Sequence, residues 1–369
     1  MTERVLKPFA FQWHITDACN LRCTHCYRDE RRQHEMPFEE AKLRVADQIL
    51  HAAPRMGVRP FLALSGGEPL LYPRLFSLLD YLRDKAGAGF VLLETNGTLL
   101  EPETVARLAG YYPLLSDIQV SLDGGSAQIH DAIRGLGSFA LSLEGLRRVI
   151  ETTPLRTTIS FTFHRGNVAD IPRLLDLGEK LGVTGLYLSR LVPIGRGKSI
   201  ADLVMTPQEV RKVLALLHET NKRWATEQAQ GLSRPTIAED KTLFHLVDPQ
   251  EAIIRYQGEN GRLGNACAIG VATLTILADG IVVPCRRLPI PIGNLRQQSL
   301  LEIWYGSDLL WQFRRRARHL QGKCQECEFL HKYPGLCSGG SACVAYGTCG
   351  DYHQPDPHCW HVPQARTES

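Results

Sequence analysis

The 369-residue chain has no long apolar run. No stretch approaches the roughly 18 residues that a membrane span needs. It has little charge imbalance either: 42 Lys and Arg against 39 Asp and Glu, a formal net charge of +3. That excludes the broad basic field expected of a nucleic-acid or membrane-surface protein. Low-complexity tracts and solenoid-type repeats are missing, so arrays are excluded as well. The opening MTERVLKPFA is too charged and short for a signal peptide, and a cytoplasmic protein is the expectation. Apolar residues at 44% and charged residues at 22% suit a soluble globular chain. The length suggests two or three domains and is ample for a large core.

Cysteine is what the chain does have. There are 11, an odd number. A reducing compartment disfavours disulfides, and odd counts pair poorly. Three sit at Cys19, Cys23 and Cys26, and no other precedes Cys267. The rest are Cys267, Cys285, Cys324, Cys327, Cys337, Cys343, Cys349 and Cys359. Two separated thiolate regions imply two metal-binding regions.

Short apolar runs alternate with helical patterns over the first half of the chain. The runs lie near 9–15, 60–64, 89–94, 117–122, 157–163 and 184–190. Amphipathic segments lie near 38–54, 73–86, 101–110, 138–152 and 168–181, and a further helix near 206–228. Apolar strands separated by helices argue for a parallel sheet covered on both faces, an α/β fold. Six such units predict a partial (β/α)6 barrel resembling the eight-fold form. The expected division is a barrel over 1–235, a bridging region over 236–262, and a Cys-rich domain over 263–369. The last contains one hairpin signal, two β-rich runs around Ala278-Asp279-Gly280. Beyond it thiols stand where a core should be, so this domain needs metal to hold together.

In parallel barrels chemistry collects at the strand C-termini, and the unusual residues do so here. Asp17-Ala18-Cys19 follows the first run, Ser65-Gly66-Gly67-Glu68-Pro69 the second and Thr95-Asn96-Gly97 the third. Ser121-Leu122-Asp123-Gly124-Gly125 follows the fourth, and Arg190 with Pro193 to Gly197 the sixth. Five such loops at one rim read as one site. Cys19-x3-Cys23-x2-Cys26 places three thiolates within one loop, which can hold three corners of a four-iron cube and leave one iron open. The bland alternative is a closed zinc site completed by His25 or His14.

The CxxxCxΦC spacing, with His25 at Φ, resembles the radical S-adenosylmethionine superfamily, specifically its branch with a C-terminal SPASM domain. The resemblance covers residues 9–230 and then 267–359. It implies that Cys19, Cys23 and Cys26 hold a [4Fe–4S] cluster whose open iron is chelated by S-adenosylmethionine. Reductive cleavage of that cofactor gives a 5′-deoxyadenosyl radical that removes a hydrogen atom from substrate, while the protein positions the reactants and excludes water. Gly66, Gly67 and Glu68 look like the family's GGE motif, the glycines admitting the methionine end and Glu68 accepting from its ammonium. Asn96 resembles the polar residue above strand three, with a turn Asn as the alternative. Ser121 and Asp123 resemble residues beside the cofactor's ribose and carboxylate. Arg134 resembles a partner of that carboxylate, with a capping or salt-bridge role as the alternative.

The C-terminal thiols resemble the SPASM pattern in order. The gaps of nine residues after Cys327 and five after Cys337 depart from the family's spacing. By resemblance one auxiliary cluster takes Cys324, Cys327, Cys337 and Cys359. The other takes Cys267, Cys285 and Cys343, with Cys349 or an open iron. Two auxiliary clusters, [4Fe–4S] in type, are the expectation, against a zinc-ribbon alternative at Cys324 and Cys327. Sulfatase-maturing relatives carry an Asp after the second SPASM cysteine; here Arg286 stands there, followed by Arg287. A cation cannot take a proton, so formylglycine formation is disfavoured. Arg286 instead suggests a contact to an acidic substrate group. Arg314-Arg315-Arg316-Ala317-Arg318 reads as a solvated helical face, and 28–35 as loop. His51, His164, His218, His245 and His331 show no ligand-like spacing. Trp13, Trp224, Trp304 and Trp311 read as core.

The resemblance implies an enzyme that oxidises or crosslinks a ribosomally made peptide, or epimerises it. Its partners would be S-adenosylmethionine, the peptide, a separate leader-binding protein, and a flavodoxin- or ferredoxin-like electron donor. Neither nucleic acid nor membrane is expected. The alternative substrate is a tetrapyrrole with carboxylate side chains, a haem or sirohaem precursor. The non-enzymatic alternative is an iron–sulfur electron carrier or redox sensor, which would have no use for the barrel's rim motifs.

Overall fold

A computed structural model describes residues 6–28, 35–85, 87, 89–239, 241–258 and 267–363. The expected loop at 28–35 and the end of the bridging region at 259–262 therefore fall largely or wholly outside the described residues.

All six predicted strands form. They are β1 (Lys7–Thr16), β2 (Val58–Gly66), β3 (Phe90–Thr95), β4 (Leu115–Ser121), β5 (Arg156–Phe163) and β6 (Gly185–Arg190). They pair in chain order, every pair parallel. Each is followed by helix, among them Leu75–Arg83, Pro102–Ala109, Ser138–Thr152, Ile171–Leu181 and Pro207–Ala229. The last opens on a capping box, with Thr206 and Glu209 exchanging hydrogen bonds. The helix Ala127–Arg134, which carries His130 and Arg134, is not among the predicted segments.

The apolar strand positions alternate with polar ones. Phe9, Phe11, Trp13 and Ile15 on β1 are buried in the core, as are Val91 and Leu93, Ile118 and Val120, Ile159 and Phe161, and Leu186 and Leu188. Between them stand Gln12, Glu94, Gln119, Ser160 and Ser189. Period two places these two sets on opposite faces. The apolar face packs under the helices, and the polar face turns into the barrel.

Two further pieces extend this sheet. The bridging region opens with β7 (Thr236–Glu239), parallel to β6, so it begins with a strand of the barrel sheet. The predicted hairpin forms as β8 (Thr273–Ile276) and β9 (Ile281–Val283), followed by β10 (Gly293–Asn294). Strand β8 lies parallel against Ala10–Trp13 of β1. The result is one ten-stranded sheet in the order β10-β9-β8-β1-β2-β3-β4-β5-β6-β7. The C-terminal cysteines are thereby anchored to the barrel's first strand. No helix among the described residues is long and apolar enough to cross a membrane.

Of the four tryptophans read as core, Trp13, Trp224 and Trp304 are buried. Trp311 is 40% exposed. Its indole N–H donates to the Tyr305 carbonyl at 2.7 Å, and the guanidinium groups of Arg314 and Arg315 stack on its ring. Arg316 departs from the reading of a solvated face. It is 3% exposed and donates to the carbonyls of Ser338, Gly340 and Tyr352. A buried guanidinium with three carbonyl acceptors organises a loop, and this loop carries Cys337 and Cys343.

Candidate active site and cysteine centres

The polar ends of β1 to β6 enclose a cavity of about 540 Å³. Its wall includes Cys19, Cys23, Cys26, His25, Gly66, Gly67, Asn96, Ser121, Arg134 and Arg286. The sequence reading named all ten. Glu68 and Asp123 are not among the lining residues.

Neighbours on several sides fix the cysteine loop. The Thr24 N–H donates to the Ile133 carbonyl at 2.9 Å, and that of Gly197 to the Cys26 carbonyl at 3.2 Å. Arg196 Nε donates to the Cys23 carbonyl at 3.1 Å. From the other side, the Gly67 N–H reaches the Thr16 carbonyl at 2.9 Å, and that of Glu68 reaches Ala18 at 2.7 Å. This approach explains the paired glycines. A Cβ on Gly66 would stand 2.2 Å from the Thr16 oxygen, and one on Gly67 would stand 2.0 Å from the Ala18 oxygen. The glycines are required by the loop's own packing, before any ligand is considered.

Glu68 is fully buried. Its Oε1 accepts from Thr95 Oγ1 (2.7 Å) and the Leu70 N–H (3.1 Å), and its Oε2 from the Asn96 N–H (2.8 Å). Burial pushes its carboxyl upward, and these donors hold it back. The structure thus gives Glu68 the work of tying the β2 and β3 loops together, with acceptor capacity left on Oε2. The Asn96 side chain is also engaged: Nδ2 donates to Asn20, and Oδ1 accepts from the N–H and hydroxyl of Thr98. It is both a turn Asn and part of the wall.

Asp123 lies behind the wall, fully buried. Its Oδ2 accepts from His25 Nε2 (2.6 Å) and Arg134 Nε (2.5 Å), and its Oδ1 accepts from the Thr162 N–H (2.8 Å). Burial alone would raise its carboxyl; Arg134 and then His25 overcome this and hold it far below the usual carboxylate range. Asp123 therefore aims two wall residues, His25 and Arg134, and does not itself face the cavity. Arg134 also reaches toward Cys23 Sγ at 3.8 Å. His25 Nδ1 is buried without a hydrogen-bond partner, an unmet polar atom on the wall that suits a bound ligand.

Arg286 proves to be paired already. Its Nη1 donates to both oxygens of Glu94, at 3.0 and 2.7 Å, and Gln12 Nε2 donates to the same carboxylate at 2.6 Å. Burial would lower its affinity for a proton, but Glu94 reverses that. Glu94, on a strand distant in sequence, thus fixes the Arg286 guanidinium, which still lines the cavity. Arg190 behaves similarly. It is 2% exposed, donates to Asp356 Oδ1 at 2.9 Å and His358 Nδ1 at 3.0 Å, and reaches Thr242. Asp356 also accepts from the N–H groups of Ser341 and His358. The cavity wall is thereby bonded to the segments that carry Cys337, Cys343 and Cys359.

The C-terminal thiols gather in two places. Cys324, Cys327, Cys337 and Cys359 line one small cavity. Burial first, then neighbouring thiolates, pushes the Cys324 thiol up to about 12. Burial also pushes Cys337 up to about 11. Cys267 and Cys343 are electrostatic neighbours, and Cys285 packs with them in one buried cluster. Cys349 is exposed at the end of the helix Ala342–Cys349. Six residues along a helix from Cys343 is about 9 Å of rise. The 11 cysteines are all free.

The cysteine sets fit iron–sulfur cages better than single ions. Among the described residues, the groupings with ligand atoms within 4.8 Å of one another are Cys327/Glu328/His361 and His218/Asp248/Glu251. Neither contains the N-terminal trio, and the first omits Cys324, Cys337 and Cys359. Thiols spread more widely than one ion's shell, converging on a common space, match a multi-iron cage.

Comparison with known proteins agrees. Residues 13–178 match the Radical SAM superfamily, and residues 267–328 match the SPASM iron–sulfur cluster-binding domain. An AdoMet-dependent heme synthase of Methanosarcina barkeri is 31% identical over 360 residues, covering 96% of this chain and 97% of the relative. Mycofactocin maturase MftC of Mycobacterium tuberculosis is 29% identical, covering 95% and 83%. In structure, Streptococcus suis SuiB bound to precursor peptide SuiA superposes with a TM-score of 0.72 at 17% identity, covering 96% of this chain and 76% of that one. AdoMet-bound anSMEcpe gives 0.71 at 18%, covering 95% and 93%. The chain belongs to the radical SAM superfamily and carries a SPASM domain. It is an enzyme of that superfamily, with iron–sulfur clusters and S-adenosylmethionine as its cofactors.

Sequence reasoning missed Glu94, Gln119, Ser160, Thr162 and Ser189, which all line the cavity. Their signal was available: each is a polar position alternating with apolar ones on a strand read simply as apolar. Asp356 carried no signal, because its partner Arg190 lies on a strand far away in sequence.

Proposed function

We propose that this enzyme removes a hydrogen atom from a tetrapyrrole bearing carboxylate side chains. One observation carries the reading. The cavity shares Asp17, Tyr27, Arg28 and Arg286 with a second groove of about 730 Å³. Pro193, Ile194, Leu277, Val283, Pro289 and Tyr346 line that groove, with Lys198 and the Asp17-paired Arg28 among its cations. An apolar trough edged by cations suits a flat apolar ring with anionic arms. The relatives named as haem synthases, collinear with this chain end to end, support the same substrate class.

In this reading Cys19, Cys23 and Cys26 hold the cluster that binds S-adenosylmethionine. With both bound, the group supplies reductive cleavage of the cofactor and, through it, hydrogen-atom abstraction. The chain's own residues orient and shield. Arg134 and His25, aimed by Asp123, face the nucleotide, Ser121 offers a hydroxyl, and the barrel closes around the reacting atoms. Cys324, Cys327, Cys337 and Cys359 would hold one auxiliary [4Fe–4S] cluster, and Cys267, Cys285 and Cys343 a second, with Cys349 or an open iron at its fourth corner. A small acidic or flavin-bearing carrier supplies electrons.

The test is anaerobic incubation of the iron-loaded chain with S-adenosylmethionine, dithionite and Fe-coproporphyrin III deuterated in its propionate arms. Deuterium should appear in 5′-deoxyadenosine. Cofactor cleavage with neither tetrapyrrole binding nor deuterium transfer would overturn the tetrapyrrole reading. The second reading, peptide maturation, is favoured by the MftC relative. It would be supported if deuterium came instead from a labelled precursor peptide.

A further inference from the structure

The sequence offered no reason to single out His245, which has no ligand-like spacing around it. In the structure it is 2% exposed, and neither ring nitrogen has a hydrogen-bond partner. It lines the small cavity formed by Cys324, Cys327, Cys337 and Cys359. A neutral imidazole carries one N–H donor and one acceptor. Leaving that donor buried and unmet is costly, and buried polar groups in native proteins are nearly always satisfied.

Among the described residues, none around this cavity hydrogen-bonds it. Leu243, Leu246 and Phe329 are apolar, and Phe329 packs edge-on against the His245 ring at 5.4 Å. Lys323 has only donors, and they go to the carbonyls of Cys359 and His361. Asp356 is engaged by Arg190 and by the N–H groups of Ser341 and His358. His361 pairs with Glu328 at 3.0 Å. The four cysteine sulfurs are the acceptors gathered on this cavity. Four cysteines already supply a full ligand set for a cage, so His245 is not needed as a ligand.

We propose that His245 donates a hydrogen bond to the sulfur of the auxiliary cage held by Cys324, Cys327, Cys337 and Cys359, and that this bond raises the cage's reduction potential. An N–H directed at cluster sulfur stabilises the extra electron of the reduced state. The inference rests on the assignment of that cage. If His245 were only filling space, replacing it by an apolar ring would remove an unmet polar group and leave the potential unchanged.

The test uses the full chain carrying Cys19→Ala, Cys23→Ala and Cys26→Ala, which leaves the auxiliary signals alone. Iron content and electron paramagnetic resonance are recorded at a fixed solution potential near the cage's midpoint. His245→Phe should lower the ratio of reduced to oxidised cage about tenfold, the worth of one charge-assisted hydrogen bond. His245→Gln, which keeps an N–H donor, should recover most of that loss. With histidine labelled by nitrogen-15, the unsubstituted His245 protein should show a nitrogen hyperfine coupling on the reduced cage, a readout that needs no folded variant. An unchanged ratio in His245→Phe with full iron, or no histidine coupling, would overturn the proposal. No iron dependent on Cys324 would instead overturn the cage assignment.

Discussion

Glu68 illustrates how a motif residue can be used. Its sequence context points to a ligand, and three donors from β3 and its own loop also hold the carboxylate. A glutamine there would turn an N–H₂ toward at least one of those donors, leaving a buried mismatch worth about 1–3 kcal/mol. Glu68→Gln should therefore lower unfolding free energy by that amount in anaerobic urea titrations. Wild-type stability would contradict the tie between the two loops. Arg286 is the converse case. Its charge was legible, but its partner Glu94 lies almost two hundred positions earlier, and no local pattern announces such a pair.

At the scale of elements, the strands were legible because apolar runs bounded by turns carry a local signal. The helix Ala127–Arg134 was missed because it is short and its apolar face is narrow: His130 and Ile133 are its buried residues. The joining of β8 to β1 was not legible, because strand pairing between distant segments leaves no trace in either segment's own pattern. The Arg190–Asp356 pair bonds β6 to the last cysteine segment, and both side chains are almost fully buried. Breaking a buried pair leaves one charge stranded, at about 3–5 kcal/mol, whereas replacing both partners by apolar groups is often nearly neutral. Asp356→Ala should therefore destabilise more than the double variant Arg190→Met/Asp356→Leu, measured by denaturant unfolding of the full chain. Equal or additive losses would show that the two residues do not act as a pair.

At the scale of the whole molecule, one sheet runs from the barrel into the SPASM domain, so the two regions are expected to unfold together. Two of the barrel's histidines contribute to the pH dependence of that unfolding. Burial holds both His130 and His164 at about 4, against an ordinary value near 6.5. Between those values the unfolded chain binds protons that the folded chain refuses. Stability is thus fully present above about pH 6.5 and falls on acidification toward pH 4, by up to about 1.4 kcal/mol per pH unit for each histidine. Anaerobic denaturation at pH 7.5, 6 and 5 checks this, and His130→Gln should flatten the profile. A profile that stays level over that range would contradict it.

The central claim is that the three N-terminal cysteines hold the iron–sulfur centre at which S-adenosylmethionine is cleaved. The most direct measurement is 5′-deoxyadenosine released after anaerobic reduction of the iron-loaded chain with that cofactor present. The account predicts steady release from the native chain, and none above background from Cys23→Ala, whose C-terminal cysteines still bind iron. Undiminished release from Cys23→Ala, or no release from a native chain carrying its full iron, would contradict it.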